Sequence, residues 1–513
     1  AIGNNALAAN TVGVYNTAVG VSALSTNTTG QDNTAVGVSA LLFNTTGSDN
    51  TAVGYLALYS NVVGSNNSAF GHYALYANTT SNNSGFGYKA LRFNTTGAYN
   101  VAVGSSALVS NTIGIINNAL GVNALLSNTT GNNNNAFGYY ALRNNTIGTA
   151  NSAFGHQSLQ GNTTGVNNSA FGYFALFYNT VSNNSAFGYL ALIDNTTGIQ
   201  NTAVGSNSLV YNTIGAYNVG VGYGSLFTNT TGASNVAIGA YSLYYNTIGI
   251  YNTAIGRSAL SVNIIGSANT AVGFQALEAN TTSNNSAFGY KALAVNTTGH
   301  RNAAFGFKSL ITNTSGNYNV AMGHQTLFSN TIGIFNVAIG DESLYSNTTG
   351  NRNTAVGRAT LYNNTIGSFN SAFGMYALVN NTTGVANTSI GYNTLLANTT
   401  GANNTAIGYQ SLNANTGGYN NTSVGYGSLQ SNFYIALTTM KTKQETEVDL
   451  QKSLEGSVNG MGGQNIVFNK AIGQNTQISY TTYVLEAQRK YNIRARYYIP
   501  QAIDAIGVLR NIN

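Results

Sequence analysis

The chain has 513 residues, only 6% of them charged, and a formal net charge of +6 at neutral pH. So small a net charge argues against nucleic-acid binding, and no apolar run reaches the ~18 residues of a membrane-spanning helix. With 43% apolar residues, the chain has enough hydrophobic side chains to form a core. It begins within a repeat and without Met, which indicates a processed or truncated start.

A motif close to Asn-Thr-Ala-Val-Gly recurs along residues 1–432. The glycine that closes it, the motif glycine, occurs 26 times at a spacing of 17 residues, apart from three spacings of 16. The motif glycines are residues 3, 20, 37, 54, 71, 87, 104, 121, 138, 155, 172, 188, 205, 222, 239, 256, 273, 289, 306, 323, 340, 357, 374, 391, 408 and 425. A unit this short cannot bury its own apolar side chains, so it must stack on its neighbours.

Each repeat is predicted to form one coil of a parallel β-solenoid, or β-roll, of about 26 coils. Its period is too short for a helix–turn–helix repeat, which needs more than ~30 residues. Asn-Thr-Ala-Val-Gly has the β-branched residues and alternation of a strand, and the stretch around the following Ala-Leu is predicted to be a second strand. Asn-Thr-Thr-Gly is predicted to be a turn whose last residue, the turn glycine, supplies a positive φ. The predicted fold class is therefore all-β.

Invariant positions within the repeat predict its interior. The fourth residue after every motif glycine is Leu, the seventh is Asn, and the fourth before it is Asn in every complete repeat. We expect the Leu and the apolar residue before the glycine to point into the coil, and the Asn side chains to form amide ladders between coils ~4.8 Å apart. The predicted core comprises Leu7, Leu24, Leu41, Leu58 and their copies. The predicted ladders comprise Asn10, Asn16, Asn27, Asn33 and their copies.

The residue two before the motif glycine is always small, as at Ala18, Gly85 and Ser389. On a strand it faces opposite to its apolar neighbour, so we expect it to point out of the coil. A uniformly small outer residue indicates that another backbone packs closely, as in a trimer around an axis. The alternative is close packing against the second strand of the same coil.

Three repeats have a shorter turn, in the segments Asn78–Asn83, Asn179–Asn184 and Asn280–Asn285. In each, Ser stands in place of the turn glycine and one turn residue is lost. Residue type and loop length thus change together, as turn chemistry requires. The three segments are 101 residues apart, which indicates that blocks of six coils were duplicated.

The repeat stops after Asn432, and the sequence divides the chain into three parts. Residues 1–432 are the predicted solenoid, and residues 433–456 are a predicted connector whose helix, Leu437–Glu455, ends before Gly456. Residues 457–513 are predicted to form a small α+β domain that caps or attaches the solenoid. Such a cap is expected because an uncovered solenoid end invites further stacking.

Reactive side chains are sparse in the repeats. His72, His156 and His324 each follow a motif glycine, but 84 and 168 residues separate them, too far for a shared metal within one chain. No nucleophile or acid–base group is recognisable, so we expect no enzyme, no cofactor and no metal. Tyr55, Tyr73, Tyr139 and Tyr140 lie directly after a motif glycine or one residue later and are candidates for stacking on glycan rings. The alternative is that Tyr suits a β surface or a lateral contact between chains.

The repeats resemble those of a known family. Asn252-Thr253-Ala254-Ile255-Gly256 and Asn184-Ser185-Ala186-Phe187-Gly188 are similar to the Asn-Ser-Val-Ala-Ile-Gly motif in the heads of YadA-like trimeric autotransporter adhesins. Similar repeats occur in phage tail-fibre-like proteins. The resemblance covers roughly residues 1–432 and implies a left-handed parallel β-roll and a homotrimer. The repeat of that family is shorter, because the Asn-Thr-Thr-Gly turn is an addition here.

These observations favour a structural fibre or adhesin shaft outside a cell or virion, which holds an attachment or receptor-binding end at a distance. The expected partners are further copies of the chain, as a homotrimer, and a cell-surface glycan or receptor, with no nucleic acid and no membrane span. The alternative is a self-assembling extracellular filament or sheath subunit. Residues 431–513 lack the four amphipathic strands of an autotransporter anchor, which disfavours that version of the adhesin.

Overall fold

A computed structural model describes residues 1–430, which fall into two compact units, residues 1–298 and residues 299–430. Each unit is an all-β parallel β-solenoid with no helix among its described residues. The 17-residue period sets the spacing of the coils, and this confirms the predicted fold class for the repeats. The predicted connector at 433–456 and the predicted domain at 457–513 lie outside the described residues.

Each coil contributes one strand of three residues, the three that precede the motif glycine. The first unit has β1 Thr17–Val19, β2 Thr34–Val36, β3 Thr51–Val53, β4 Ser68–Phe70, β5 Ser84–Phe86, β6 Val101–Val103, β7 Asn118–Leu120, β8 Asn135–Phe137, β9 Ser152–Phe154, β10 Ser169–Phe171, β11 Ser185–Phe187, β12 Thr202–Val204, β13 Val219–Val221, β14 Val236–Ile238, β15 Thr253–Ile255, β16 Thr270–Val272 and β17 Ser286–Phe288. The second unit has β18 Ala303–Phe305, β19 Val320–Met322, β20 Val337–Ile339, β21 Thr354–Val356, β22 Ser371–Phe373, β23 Thr388–Ile390, β24 Thr405–Ile407 and β25 Thr422–Val424.

Consecutive strands within each unit pair in parallel and in register, so that each residue lies beside its own copy. Ala18 pairs with Ala35 in the first unit, for example, and Ala321 pairs with Ala338 in the second. An isolated parallel bridge from Ile2 to Val19 extends the first unit by one repeat. Any side chain that recurs at one position of the repeat therefore forms a column parallel to the solenoid axis.

The predicted second strand around Ala-Leu is wrong, because this segment is a run of turns. Ser22 and Leu24 have φ angles of 57° and 51°, in the left-handed region that a strand residue does not adopt. Backbone hydrogen bonds still join the coils here: Leu24 N donates to Ala40 O at 2.9 Å. The copies of these residues repeat both features, so the left-handed residues bend the chain back within few residues while the polar backbone stays paired.

The interior of each coil contains the small residue and not the apolar residue beside it, which reverses the predicted orientation. Ala18 and Ala35 are fully buried, whereas Phe70 is 38% exposed. The reason is the narrow coil: a Cβ built on Gly85 would lie 3.2 Å from Leu75 Cγ and 3.3 Å from the carbonyl oxygen of Ala90. Only a small side chain fits there. The uniformly small residue thus reflects packing within the coil and is no evidence for a trimer.

The predicted core leucines and a second column of small residues complete the interior. Leu24, Leu41 and Leu58 are fully buried, while Leu7, in the first repeat, is partly exposed. The residue before each leucine is mostly Ala and is buried beside it, as at Ala23. Each coil therefore has a thin core of two small residues and one leucine, which is continuous along the stack.

Two columns of buried asparagine side chains join the coils. In one, Asn27 Nδ2 donates to Asn10 Oδ1 at 2.8 Å and to the carbonyl oxygen of Gly30 at 3.0 Å. In the other, the backbone N and the Nδ2 of Asn33 both donate to Asn16 Oδ1, at 3.0 and 3.1 Å. Asn27 and Asn33 are fully buried, whereas Asn10 and Asn16, near the start of the chain, are partly exposed. Every coil thus binds its neighbour through amide hydrogen bonds inside the turn.

The turn glycine is required by close approach and not, as predicted, by a positive φ. Gly30 does not have a positive φ, but a Cβ on it would lie 2.6 Å from Asn27 Oδ1 and even closer to the carbonyl oxygen of Gly47. A positive φ occurs instead at the motif glycine, as in Gly20 with φ of 133°. The glycine at the turn therefore makes room for the amide ladder.

In the short coils the turn glycine is the deleted residue, and Ser does not replace it. Ser81 Oγ accepts from Ser65 N at 2.9 Å, as Ser65 Oγ accepts from Ser48 N, so these serines occupy equivalent positions. The carbonyl oxygen of Thr80 takes over the role of a turn-glycine carbonyl and accepts from Asn78 Nδ2 at 2.7 Å. The serine of a short coil is therefore equivalent to the residue that follows the turn glycine in a full-length coil.

Candidate functional site

The third residue of each strand forms an outer column that we call the apolar strip. It contains Val, Ile, Leu, Phe or Met in every strand and is partly or fully exposed throughout. Because the strands are in register, its side chains stack: the ring centroids of Phe137 and Phe154 are 4.6 Å apart, as are those of Phe154 and Phe171. The strip has 17 residues in the first unit and 8 in the second.

The first residue of each strand lies on the same outer face and compensates for the size of the third. All seven strands that begin with Ser end with Phe, whereas those that begin with Thr end with Val or Ile. Two neighbouring columns thus keep similar combined bulk from coil to coil. None of the 25 strands contains a charged residue. The side chains of the outer strand face therefore project to a similar extent in every coil, and this face is uncharged over each unit.

The area of the apolar strip exceeds what a monomer ordinarily exposes. Seven of the 17 third residues in the first unit are exposed and the other ten are partly exposed. If each leaves ~50 Å² exposed on average, the first unit presents on the order of 800 Å² of apolar surface. The largest apolar patch of a typical monomer is ~300–600 Å². About 800 Å² per partner is also what a stable protein–protein interface buries. The outer strand face has the size and composition of an interface.

The signal for this surface is present in the sequence. The inner residue of the strand varies only among Ala, Gly and Ser, whereas the outer one ranges from Val to Phe. A packed interior tolerates such changes in volume poorly. The variable column is therefore the outer one, and the pairing of Ser with Phe identifies its neighbour on the same face.

Aromatic side chains form a second outer surface, which we call the aromatic edge. It comprises the first, second, fifth and sixth residues after the motif glycine. Tyr55 and Tyr73, two of the candidate glycan-binding residues, are brought together with centroids 5.8 Å apart, and His72 packs against both at 4.9 and 4.4 Å. Tyr73 also lies under the guanidinium of Arg92, 4.7 Å from its ring centroid. This cluster is one continuous aromatic surface.

The other two candidates, Tyr139 and Tyr140, form a separate cluster several coils away. Their ring centroids are 3.8 Å apart, and the hydrogen bond between them raises the pKa of Tyr139 and lowers that of Tyr140. Tyr139 also begins a column of stacked rings that continues through His156 and Tyr173, with centroid distances of 5.1 Å at both steps. The four tyrosines therefore belong to two places on the aromatic edge, not to a single site.

Three polar residues on this edge form a small row in the second unit. His324 Nδ1 is 3.0 Å from Asp341 Oδ1, and Arg358 Nε is 3.5 Å from Asp341 Oδ2. All three side chains are about half exposed, so the row contributes little to stability. Among residues 1–430, no three His, Cys, Asp or Glu side chains form a group that could hold a metal ion. His72 and His156 lie in different coils of the first unit, and each packs against tyrosine rings.

Comparison with known proteins adds no relative: no protein-family model, no curated protein and no solved structure matches this chain. Nor does the part of the chain that the structure describes contain a helix of the length and hydrophobicity needed to cross a membrane. The two outer surfaces and the repeated coil are therefore the features of the structure that bear on function.

Proposed function

We propose that the chain is the shaft of a structural fibre, exposed outside a cell or virion, that holds an attachment or receptor-binding end at a distance. The observation that carries the proposal is the uninterrupted in-register pairing of consecutive coils within each unit. Stability in such a stack is a sum over nearest neighbours, so adding coils lengthens the structure without altering the coil. A shaft needs this property, whereas a compact enzyme does not.

Within this proposal, copies of the chain associate as a homotrimer through the apolar strip. The strip repeats at the coil spacing of ~4.8 Å, and a second copy of the same chain has a matching surface with the same repeat. The strands contain no charge that would oppose contact between identical faces. Three strips around one axis would bury them all, as the resemblance to trimeric adhesin heads implies. The support for a trimer is the apolar strip. The small residues, from which the sequence predicted a trimer, lie inside the coil and do not support it.

The mass of the purified chain in solution tests the association. We expect a trimer by sedimentation velocity, and dissociation when three neighbouring strip residues are changed together: Phe187→Lys, Val204→Lys and Val221→Lys. The matched control puts three lysines into the exposed turns of the same coils: Thr197→Lys, Ile214→Lys and Thr231→Lys. The control protein should remain trimeric. A wild-type chain that stays a folded monomer at all concentrations would contradict the association.

The same measurement separates the alternative, a self-assembling extracellular filament or sheath subunit. The apolar strip favours this second candidate equally, since an exposed face does not by itself close at three copies. A filament predicts a mass that grows with concentration, whereas a trimeric shaft predicts a constant mass.

Labelling of intact cells or particles with an antibody against residues 1–298, viewed by electron microscopy, tests the outer location. Label that appears only after lysis would contradict it.

A further inference from the structure

One coil of the first unit has a gap in its aromatic edge. The second residue after the motif glycine carries a side chain in the adjacent coils, Asn207 and Tyr241, but is Gly224 between them. Gly224 has φ of 61°, close to the 57° of Asn207 and the 59° of Tyr241, so the backbone follows the same course. Gly224 is buried against the rings of Tyr241 and Tyr244, and it lines a shallow pocket of about 180 Å³.

Half of the residues that line this pocket are aromatic. Its lining includes Tyr211, Tyr223, Phe227 and Tyr244, together with Asn207 and Gly224. The rings brace one another: Phe227 lies 5.1 Å from Tyr211, edge to face, and 4.9 Å from Tyr244, stacked. A Cβ on Gly224 would lie 3.1 Å from a ring carbon of Tyr244. The wall is thus preformed. A side chain at Gly224 would have to displace the Tyr244 ring or extend into the pocket.

The polar groups of the pocket are few and neutral. Tyr211 and Tyr223 are about half exposed. Within residues 1–430, the side-chain amide of Asn207 makes no hydrogen bond to the rest of the protein, and no charged residue lines the pocket. An amide offers both donors and an acceptor, and a phenol offers one of each. The pocket therefore combines flat apolar rings with free neutral hydrogen-bonding groups.

We propose that this pocket binds one neutral pyranose ring of a glycan. The C–H face of a sugar ring packs on aromatic rings, while its hydroxyl groups bond to amide and phenol groups. A charged ligand would find no counter-charge among the lining residues, and a plain hydrocarbon ring would leave the Asn207 amide desolvated without a partner. The site lies apart from the tyrosine clusters at residues 55–73 and 139–140, and its binding does not depend on the proposed association.

The test is titration of the purified full chain with methyl glycosides of glucose, galactose, mannose and N-acetylglucosamine, followed by saturation-transfer NMR and calorimetry. We expect at least one of them to bind, and Gly224→Asn to weaken that binding about tenfold or more. Asn is accommodated at this position of the repeat, as at Asn207, so the backbone is not strained. Tyr223→Ala, which removes a wall without filling the pocket, should weaken binding as well.

The matched control is Gly427→Asn, at the same repeat position with φ of 57°, where a Cβ would meet nothing nearer than Gln430 Oε1 at 3.8 Å. It should bind the glycoside as the wild type does. Unchanged binding in Gly224→Asn would overturn the proposal, and so would failure of all four glycosides to bind. Binding of p-cresol in place of every glycoside would also overturn it, because the pocket would then be a site for aromatic compounds. None of these outcomes bears on whether the chain is a trimer.

Discussion

Asn61 and Asn78 occupy equivalent positions in adjacent coils, yet the amide ladder is interrupted between them. Asn78 Nδ2 donates to the carbonyl oxygen of Thr80, and the buried Oδ1 of Asn61 has no hydrogen-bond partner. The interruption recurs at one other short coil, where Asn162 Oδ1 has no partner. At the third, the ladder bond is kept but long, with Asn280 Nδ2 3.3 Å from Asn263 Oδ1. Loss of one turn residue moves the amide away from its neighbour. The short coils are therefore weak steps in an otherwise continuous ladder.

Restoring the missing turn residue should repair this step. A glycine inserted between Thr80 and Ser81 gives this coil the full turn and allows residue 78 to donate to Asn61 Oδ1. We expect the free energy of unfolding to rise by about 1 kcal/mol, with slower amide exchange around residues 61–83. A glycine inserted between Gly97 and Ala98, in a coil of normal length, should destabilise instead. Equal effects of the two insertions would show that the interruption is harmless.

Removing a residue from the intact ladder should destabilise the coils on both sides. Asn212 Nδ2 donates to Asn195 Oδ1 at 2.9 Å, and Asn212 Oδ1 accepts from Asn229 Nδ2 at 2.7 Å. Asn212→Ala leaves Asn195 Oδ1 buried without a donor, at about 1–3 kcal/mol, while Asn229 Nδ2 keeps only its bond to the carbonyl oxygen of Gly232. Hydrogen exchange should accelerate locally and remain unchanged in distant coils, because stability is a nearest-neighbour sum. The exposed Tyr217→Ala is the control, and equal protection in both variants would contradict the ladder.

The two faces of a strand should respond oppositely to added volume. Ala203 is fully buried inside the coil, whereas Val204 is 37% exposed in the apolar strip. Ala203→Leu should destabilise the first unit by about 1–3 kcal/mol or prevent its folding, since the coil has no space for the added atoms. Val204→Leu should change stability by less than about 0.5 kcal/mol. Denaturant unfolding measures the stability of both variants. A larger loss of stability in Val204→Leu than in Ala203→Leu would show that the apolar residue faces the interior.

A methyl group at the turn glycine should be far more harmful than one at another glycine. In Gly30→Ala the new Cβ collides with the carbonyl oxygen of Gly47 and with Asn27 Oδ1, so the neighbouring coils must separate. Gly417→Ala would meet only Thr400 Oγ1, at 3.4 Å, and should leave stability nearly unchanged. Thermal unfolding of the two variants compares them. Similar melting temperatures would mean that the turn can relax around the methyl group.

Asp194 should make the first unit less stable as its carboxyl ionises. Burial raises the pKa of this carboxyl above its usual range, so the folded state binds the proton more tightly than the unfolded state does. The stabilising contribution is present below the unfolded pKa and is lost as pH rises through the folded pKa. Asp194→Asn should therefore stabilise the protein at pH 7 but not below pH ~3.5. Equal stabilisation at both pH values would mean that the charge is not responsible.

The repeat itself could be read from the sequence because identical units must make identical contacts. Asn27 and Asn33 recur at fixed positions in every complete repeat, and only a stack in register brings each beside its own copy. The conformation of the Ala-Leu segment could not be read in this way. Leucine strongly suggests regular structure, yet the backbone of Leu24 has a left-handed conformation. The burial of its side chain and the hydrogen bonds between coils outweigh the local backbone preference.

The sequence by itself determined the period, the parallel register and the amide columns, since each follows from repetition along the chain. Only the tertiary structure decided how narrow the coil is, and therefore why the small residue of the strand must be the inner one. Alternation separates Ala18 from Val19 but assigns neither to the interior. The left-handed turn residues close the coil so tightly that alanine fills the space beside Leu24, and the larger residues remain outside. The apolar strip, and the pocket that depends on Gly224 between neighbouring rings, exist only once the coils are stacked.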